Sequence, residues 1–481
     1  MPEGFRSRAL AVAVFGAASL VVWASLTASQ ALARSFSLGI YAVANLLVFL
    51  DMFDFVLRFY LRRAQTATGQ PGSRSRTSVR LEVGRYTLYE KRLHLRPYAL
   101  VISMHNAEDE LDDFMETMEP YRDRIWIIDD GSTDQTVVRL RQAGWRCLEA
   151  GVNRRKPHAI RALLVTLPAE IETVLVLDPD VSLLDSERNG LPDLEEVIFD
   201  FQRSKFAAVC PRISIRKKEG LLARFERFEY IIAFSLGRNS LADHCINSGV
   251  SIYRRSALEE VLRRHSLSVY AEDLENSVLL LGAGERVYYD ARLVLETPPQ
   301  QGWSRWFSQR TGWAFGLIKV YTERFEDVRR VARRGAGAAY QFLFYMGVFN
   351  LLLLPLKLVG LILLCLSLAR GVDSLLSLGW MPAWRIADPV YFAAAAAKYF
   401  MLSVAMIITA APRGERRYFL PLAPLYFLYG LLQILPTAVG YSNWFSLRFW
   451  GRRVIEDHYQ DENSLVFEYR NNGVQSAVGE R

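Results

Sequence analysis

The sequence has little of what disulfide-rich or low-complexity proteins are built from. Only four cysteines occur in 481 residues, and none of them forms a CxxC pair. This excludes a disulfide framework and predicts a reduced, intracellular working side. The 30 glycines and 18 prolines follow no period, which excludes a collagen-like chain. A hydrophobic content of 51% excludes disorder for the bulk of the chain.

The formal net charge of +7 is compatible with a nucleic-acid partner, but its distribution is not. The basic residues stand in groups beside long apolar runs: Arg6 and Arg8; Arg58, Arg62 and Arg63; Arg329, Arg330, Arg333 and Arg334; Arg413, Arg416 and Arg417. Lysine and arginine flank the cytoplasmic ends of membrane helices in this way. We therefore expect a lipid bilayer as partner and no nucleic acid.

Five apolar stretches approach the roughly 20 residues needed to cross a bilayer. They cover residues 10–26, 38–57, 340–368, 389–409 and 419–439. In the second stretch Asp54 stands four residues before Arg58, a spacing at which the two can pair on a helix. The number of spans, five or six, stays open, and with it the side of the C-terminal tail. The pattern predicts a multi-pass protein of the cell's inner or plasma membrane, with its soluble domain in the cytoplasm.

These features predict six regions along the chain. They are two N-terminal transmembrane helices in residues 1–63, a linker over 64–97, a soluble domain over 98–300, amphipathic interface helices over 301–335, about three transmembrane helices over 336–440 and a polar tail over 441–481.

The soluble domain alternates short apolar runs with helical patterns. Strands are predicted at 99–104, 124–128, 173–177 and 206–210, and helices at 108–118, 136–143 and 157–166. Such alternation predicts an α/β fold with a mostly parallel sheet and helices on both faces. Because ligands bind beyond the carboxyl ends of such strands, the residues after each strand are the candidates for a site.

Two acidic clusters follow predicted strands. Asp129 and Asp130 precede Gly131, which permits a tight turn, and their carboxylates can accept hydrogen bonds from a base and a ribose. The alternative is a turn in which Ser132 caps the next helix. Asp178 and Asp180 are spaced to reach one hard cation, Mg²⁺ or Mn²⁺, that bridges to phosphate oxygens. The alternative for this pair is a surface turn.

Two further clusters lie later in the chain. Glu272 and Asp273 open an apolar helical pattern. One of them can be a general base. The alternative is that both stand there because the helix dipole stabilises acidic side chains in a first turn. The segment 309–313, Gln-Arg-Thr-Gly-Trp, stands where the soluble domain meets the apolar stretches. Its alternative is an interfacial belt of tryptophan and arginine.

In this order, and flanked by apolar stretches, the four clusters resemble the membrane-embedded family 2 glycosyltransferases, the group that contains cellulose, chitin and hyaluronan synthases. The resemblance covers about residues 98–316. It implies a GT-A-type Rossmann-like domain inserted between transmembrane helices. It also implies an inverting transfer of a sugar from a UDP-sugar to a growing polysaccharide.

The resemblance assigns roles to individual residues. It implies nucleotide and donor binding by Asp129, Asp130, Lys156, Asp178, Asp180 and Arg310, with Asp178 and Asp180 holding Mg²⁺ or Mn²⁺. It implies a general base at Asp273 with Glu272 beside it. It implies an acceptor side formed by Asn247, Ser248, Gly249, Gln309 and Trp313.

The sequence departs from the family pattern at a few positions. Gly312 stands where the family element has arginine, Arg161 where asparagine is common, and Ala271 where threonine precedes the Glu-Asp pair. The missing cation at Gly312 favours an alternative, in which one sugar is added to a lipid carrier or a lipid-linked glycan without polymerisation. Export or secretion subunits are compatible partners in both cases.

Overall fold

The computed structural model of the chain describes residues 49–62, 91, 94–184, 187–188, 191–268, 270–379 and 389–455. The chain divides into two compact units. A helical unit contains the described residues of Met1–Ala67, Arg224–Ser240 and Phe344–Leu435, and an α/β unit contains those of Thr68–Ala223, Leu241–Leu343 and Pro436–Arg481. The predicted stretch 10–26, nearly all of the linker and the tail beyond residue 455 lie outside the described residues.

The α/β unit is built on an eight-stranded mixed sheet. Its strands are β1 (Tyr98–Met104), β2 (Ile125–Asp129), β3 (Cys147–Glu149), β4 (Thr173–Leu177), β5 (Ser182–Leu183), β6 (Ala208–Ile215), β7 (Ser251–Arg254) and β8 (Val287–Thr297). They are arranged in the order β3-β2-β1-β4-β7-β6-β8-β5. Strand β7 is antiparallel to both neighbours and β5 is antiparallel to β8, while the other adjacent pairs are parallel. A separate two-stranded ribbon pairs Glu187–Arg188 with Leu191–Pro192.

Helices connect and cover the strands. Beyond residue 98 the α-helices are α1 (Leu111–Met118), α2 (Thr136–Gln142), α3 (Lys156–Thr166), α4 (Asp193–Arg203), α5 (Leu221–Ile232), α6 (Arg255–Arg264), α7 (Glu272–Gly282), α8 (Trp303–Glu323), α9 (Phe325–Ala332), α10 (Ala336–Ala339), α11 (Leu354–Leu376), α12 (Pro389–Ala410), α13 (Arg416–Phe419), α14 (Ala423–Leu432) and α15 (Ile434–Trp450). Wider π-helical segments cover Ala233–Gly237 and Tyr340–Leu352, and residues 49–62 are helical. Short 3₁₀ helices cover Glu108–Glu110, Glu119–Arg124, Arg238–Ser240, Arg413–Glu415 and Leu420–Leu422.

The sheet is buried on both faces, and this explains the apolar runs of its central strands. Every residue of β4 is buried, and so are six of the seven residues of β1. Helix α3 contributes Ile160, Leu163 and Leu164 to the core, and α4 contributes Phe199 and Phe201. Strands covered on two sides read as continuous hydrophobic runs, without polar alternation. The predicted strands and helices between residues 98 and 215 are confirmed, and so is the α/β fold class.

The helical unit is held together by aromatic contacts and by polar pairs between helices. Within the helix at residues 49–62, Arg58 pairs with Asp54 at 2.8 Å, which confirms the pairing predicted from their spacing. The same guanidinium donates to the hydroxyl of Ser240 at 3.4 Å. The guanidinium of Arg227, in α5, makes two hydrogen bonds of 2.8 Å to Glu415. The hydroxyl of Tyr429, in α14, donates to Glu229 at 2.6 Å. These bonds fasten the inserted segment Arg224–Ser240 to the later helices of the same unit.

Among the described residues, one helix is long and apolar enough to cross a membrane, Leu354–Asp373. The helices Arg413–Tyr426 and Leu428–Trp450 pass the same test only when they are counted together as one bent span. The predicted stretch 419–439 is therefore interrupted, and 340–368 is divided between the π-helical segment and α11. A multi-pass arrangement stays a prediction.

Candidate active site

The first predicted cluster forms a tight turn at the carboxyl end of β2. The carboxylate of Asp129 accepts hydrogen bonds of 3.1 Å from the backbone N–H groups of Gly131 and Ser132, so that it shapes the turn. The carboxylate of Asp130 accepts a 2.8 Å bond from the backbone N–H of Arg154. Burial raises the pKa of Asp130, against the lowering effect of these backbone donors. The turn and the segment before α3 are thus joined at Asp130.

Gly131 is required by the close approach of these two segments. Its φ is +74°, and a Cβ added there would lie 2.5 Å from the backbone nitrogen of Asn153 and 2.7 Å from the carbonyl carbon of Val152. No other residue fits without moving the backbone. The turn therefore fixes where α3 begins, and Lys156 is the first residue of that helix.

The loop after β1 also contacts this turn, and sequence reasoning missed it. The side chain of Asn106, whose φ is +49°, accepts a 2.8 Å bond from the N–H of Thr133. Its own N–H donates to the hydroxyl of Ser132 at 2.9 Å. The capping role considered for Ser132 is therefore wrong, because its hydroxyl accepts from the neighbouring loop. The first N–H of α2, that of Thr136, donates instead to the carboxylate of Asp134 at 3.0 Å. The available signal was a polar run, residues 105–110, directly after the first predicted strand.

Lys156 is the centre of the candidate site. Its ammonium group lies 2.5 Å from Asp178 Oδ1, 2.9 Å from the carbonyl oxygen of Gly249 and 3.3 Å from Glu272 Oε1. Burial lowers the pKa of Lys156, but the carboxylates of Asp178 and Glu272 outweigh it and raise that pKa above its usual value. The group therefore stays charged at neutral pH. It joins the end of β4, the turn before β7 and the start of α7.

Asp180 lies beside Asp178 in a markedly acidic environment. Burial and the carboxylate of Asp178 raise the pKa of Asp180 to about 6, and Glu110 adds to the same effect. One oxygen of Asp180 accepts a 2.9 Å hydrogen bond from the hydroxyl of Thr297. Carboxylates forced together in this way favour the binding of a cation.

The donor set fits a hard divalent cation. Among the described residues no group of three or more histidine, cysteine, aspartate or glutamate side chains is arranged to hold a metal. Asp180, with Asp178 beside it, would therefore supply carboxylate oxygens, and phosphate or water oxygens would supply the rest. Mg²⁺ is commonly bound in this way, through one or two carboxylates plus substrate phosphates.

Glu272 and Asp273 form the first turn of α7. Burial raises the pKa of Glu272 to about 7, against the lowering effect of Lys156. The carboxylate of Asp273 accepts a 2.8 Å bond from the N–H of Leu274. Both acids line a small pocket together with Lys156, Pro157, Ile160, Val176, Ser248, Gly249, Tyr253, Leu258, Leu262 and Asn276. The two roles weighed for this pair are therefore compatible, since the acids begin a helix and also face a pocket.

The predicted acceptor-side turn is fastened to α7. The N–H of Asn247 donates to the hydroxyl of Ser277 at 2.8 Å, and that hydroxyl donates to the carbonyl oxygen of Asp273 at 2.7 Å. The hydroxyl of Ser248 donates to the carbonyl oxygen of Val250 at 2.6 Å. A Cβ on Gly249 would lie 3.0 Å from Asp178 Oδ2, so glycine keeps this turn next to the carboxylates.

The cluster of residues 309–313 lies on helix α8. Arg310 donates to the side chain of Gln309 at 2.6 Å, and its guanidinium stacks 4.0 Å from the ring centre of Trp313. Arg310 is buried, whereas the Trp313 side chain is 39% exposed. Earlier on the same helix, Arg305 is close enough to Glu110 to oppose the rise in pKa that burial causes there.

The structure therefore brings most of the predicted site residues to one edge of the sheet. Direct contacts join Lys156, Asp178, Gly249 and Glu272. Asp180 and Asp273 are next to them in the chain, and Asp130 is joined to the backbone just before Lys156. Gln309, Arg310 and Trp313 form a separate cluster on α8.

Comparison with known proteins identifies the class of enzyme. Residues 99–262 match the model of Glycosyl transferase family 2. The chain is 24% identical over 223 residues to the O-antigen chain rhamnosyltransferase RfbN of Salmonella typhimurium, which covers 43% of this chain and 69% of that protein. This chain is a glycosyltransferase. The match to the family 2 model supports the predicted resemblance over residues 99–262.

Solved structures also resemble the enzyme. The mannosyltransferase PcManGT from Pyrobaculum calidifontis, in complex with GDP-Man and Mn²⁺, is 16% identical with a TM-score of 0.46, and the match covers 82% of this chain and 99% of that one. Glucosyl-3-phosphoglycerate synthase from Mycobacterium tuberculosis is 16% identical with a TM-score of 0.30, over 50% of this chain and 86% of that one.

The close approach at Gly131 predicts a specific loss of donor binding. In Gly131→Ala the new methyl group must push the segment before α3 away from the turn. We expect the KM for the nucleotide sugar to rise at least tenfold. Overpacking should also lower the free energy of unfolding by about 1–3 kcal/mol beyond the cost of the backbone conformation.

Gly151→Ala is the matched control for this change. Its φ is +73°, and no atom lies within 4 Å of an added Cβ, so it carries the same backbone cost without the collision. Chemical denaturation and steady-state kinetics compare the two variants. If both variants changed KM and the free energy of unfolding equally, the collision of the new methyl group at position 131 with residues 152–153 would have no consequence.

Proposed function

We propose that this glycosyltransferase transfers one sugar at a time from a UDP-sugar to a glycan or lipid-linked acceptor at the inner membrane. The transfer is a single displacement that inverts the anomeric carbon. The observation that carries the proposal is the contact of Lys156 with both Asp178 and Glu272, since it brings the donor-side and base-side acids together. The acceptor oxygen bonds to the anomeric carbon as the bond to the diphosphate breaks.

The donor nucleotide is assigned to the turn after β2. Gly131 lets the turn pack against the backbone of residues 152–153, and Asp130 fixes the segment that leads into α3. The diphosphate is assigned to the edge between Asp180 and Lys156. Asp180 and Asp178 would hold Mg²⁺ or Mn²⁺, which supplies positive charge to the leaving diphosphate when it is bound. The ammonium of Lys156 adds a second positive charge at the same edge.

Asp273 is the proposed general base. Glu272 already faces the ammonium of Lys156, whereas Asp273, the next residue, faces the same pocket. Asp273 takes the proton from the acceptor hydroxyl during the displacement. Positioned general bases contribute about 10²–10⁴-fold to rate.

Asp273→Asn tests the base. We expect kcat to fall by about 10²–10⁴-fold, because the amide cannot accept the proton. The affinity for UDP should stay within about threefold, since the nucleotide is assigned elsewhere. Steady-state kinetics and calorimetric titration with UDP measure the two quantities. Glu272→Gln is the comparison: a large loss confined to that variant would move the base to Glu272, and full turnover by Asp273→Asn would remove the assignment.

Removal of divalent metal tests the role of Asp180. We expect a chelator to abolish transfer and added Mn²⁺ to restore it. Asp180→Asn should weaken Mn²⁺ binding in the presence of UDP at least tenfold, measured by electron paramagnetic resonance. Asp113→Asn is the control, because it also removes one carboxylate, but from an exposed ion pair with Arg216. It should leave Mn²⁺ binding unchanged. Undiminished transfer in the chelator would contradict the proposal.

The acceptor is proposed to be a lipid-linked or growing glycan. Two observations support single addition: Gly312 stands where the family element has arginine, and the similar Salmonella protein is an O-antigen chain rhamnosyltransferase. One observation supports polymerisation, because Trp303 and Trp313 expose aromatic faces on which successive sugars can stack. The proposed membrane location rests on the family resemblance and on the apolar helix Leu354–Asp373, and export subunits as partners rest on the resemblance alone.

The length of the product decides between the two acceptor reactions. Purified enzyme is given labelled UDP-, GDP- and dTDP-sugars with a membrane lipid extract, and products are separated by size. We expect one sugar to be added to a lipid-linked acceptor from a UDP donor. A high-mass ladder would instead support a polysaccharide synthase, and turnover confined to another nucleotide would contradict the UDP assignment.

A further inference from the structure

The turn that precedes Asp273 has an unusual backbone. Ala271 has φ of +53° and Leu267 has φ of +60°, a region that residues other than glycine seldom occupy. The carbonyl oxygen of Ala271 accepts the 2.9 Å bond from the N–H of Glu275 that closes the first turn of α7. Such conformations persist only where the surroundings enforce them. The surroundings of this turn therefore set the direction in which α7 presents Asp273.

One side of the turn is held by a buried ionic network. The carboxylate of Glu275 accepts bonds of 2.8 Å from the N–H of Ser266 and from the guanidinium of Arg324. Burial acts to raise the pKa of Glu275, but His265 and Lys319 outweigh it and lower that pKa to about 2. This network fixes residues 265–266, at the far end of the turn from Asp273.

On its other side the turn contacts helix α8, and α8 in turn contacts helix α15. A glycine allows the close approach at each of these two contacts. A Cβ on Gly316 of α8 would lie 2.5 Å from the Cβ of Ala271 and 2.9 Å from the carbonyl carbon of Tyr270. A Cβ on Gly440 of α15 would lie 2.5 Å from the carbonyl oxygen of Thr311 on α8. The turn, α8 and α15 are therefore packed closely in this order. The position of the turn depends on α8, and the position of α8 depends on α15.

The chain after α15 folds back and reaches the same turn. The buried side chain of Asn443 accepts bonds of 3.0 and 3.1 Å from the N–H groups of Val454 and Ile455, and it donates to the carbonyl oxygen of Ile455 at 2.7 Å. This clamp places Arg453 against Tyr270. The guanidinium donates to the Tyr270 hydroxyl, and it lies 5.4 Å from the centre of the Tyr270 ring.

Tyr270 transmits this contact toward the candidate base. Its side chain is almost completely buried, and its ring lies 4.5 Å from the ring of Phe315 on α8. It stands one residue before the strained Ala271 and three residues before Asp273. Movement of the Tyr270 side chain therefore moves the backbone from which α7 begins.

We propose that Arg453 and Tyr270 are positioning residues that hold the turn 270–273 so that Asp273 points at the acceptor hydroxyl. Arg453 then supports catalysis through Tyr270 and the turn, although it touches no reacting atom. This inference rests on the proposed role of Asp273. A misplacement of about 1 Å at a reacting group can cost on the order of 10²-fold in rate.

A double-mutant cycle tests the proposal on the full-length enzyme. The variants are Arg453→Gln, Tyr270→Phe and the two combined, and each is measured for kcat, donor KM, UDP affinity and thermal unfolding. Tyr270→Phe keeps the buried ring and removes only the hydroxyl that accepts from Arg453. Arg452→Gln is the matched control, because it removes the same charge from the exposed neighbouring residue.

We expect each single variant to lower kcat at least tenfold, with donor KM and UDP affinity changed less than twofold. The double variant should be no worse than the worse single variant, because both substitutions break one contact. The Arg452→Gln enzyme should behave as wild type. Losses that multiply in the double variant, or that appear in UDP affinity as much as in kcat, would overturn the proposal.

The proposed base and this inference fail in different ways. If Asp273→Asn keeps full turnover, Asp273 is not the base and the turn has no group to position. If Asp273→Asn is inactive while Arg453→Gln and Tyr270→Phe keep wild-type kcat, Asp273 remains the base and only the positioning role is excluded. Should Arg453→Gln fail to fold, Tyr270→Phe alone decides, since it leaves the packing of the ring intact.

Discussion

One partly buried ammonium group organises the acidic edge of this enzyme. Lys156 contacts Asp178, the carbonyl oxygen of Gly249 and Glu272, which belong to three different segments of the α/β unit. Without this ammonium, the carboxylates of Asp178 and Glu272 would face each other as like charges at a partly buried edge, which is unfavourable. The geometry of donor-side and base-side acids therefore depends on this one cation, and the glycine at 249 is needed to let them meet.

The same charge balance explains why the proposed diphosphate site needs additional positive charge. Lys156 faces Asp178 and Glu272, while Asp180 and Glu110 lie close by on the other side. The carboxylates outnumber the ammonium, and an incoming diphosphate adds further negative charge. A divalent cation held by Asp180 would resolve this conflict by supplying positive charge at the edge. The raised pKa of Asp180 and the proposed metal site thus have one physical cause.

Sequence patterns predicted the sheet and the order of the clusters along it, because buried parallel strands read as apolar runs and their carboxyl ends meet at one edge. They did not predict the antiparallel β7, since its short, mixed sequence carries no period that distinguishes direction. Nor did they predict the contact of Lys156 with Glu272, 116 positions later, or of Arg453 with Tyr270. Such contacts are decided by tertiary packing, and they cannot be predicted from the local sequence around either residue.

The segment between β6 and β7 belongs in part to the helical unit, although both strands belong to the α/β unit. The sequence assigned residues 98–300 to one soluble domain, yet Arg224–Ser240 packs within the helical unit. There the aromatic ring of Phe228 lies 5.2 Å from that of Phe419, and Arg227 makes its paired bonds to Glu415. Charged groups buried between helices are costly to leave unpaired, so this arrangement specifies a partner for α5 within that unit. In the chain, the inserted segment lies between strands β6 and β7, and the turn at Gly249 follows it directly before β7. An isolated catalytic domain would therefore expose the aromatic and charged face of α5, and the boundary between the two parts of the enzyme is not a single cut in the sequence.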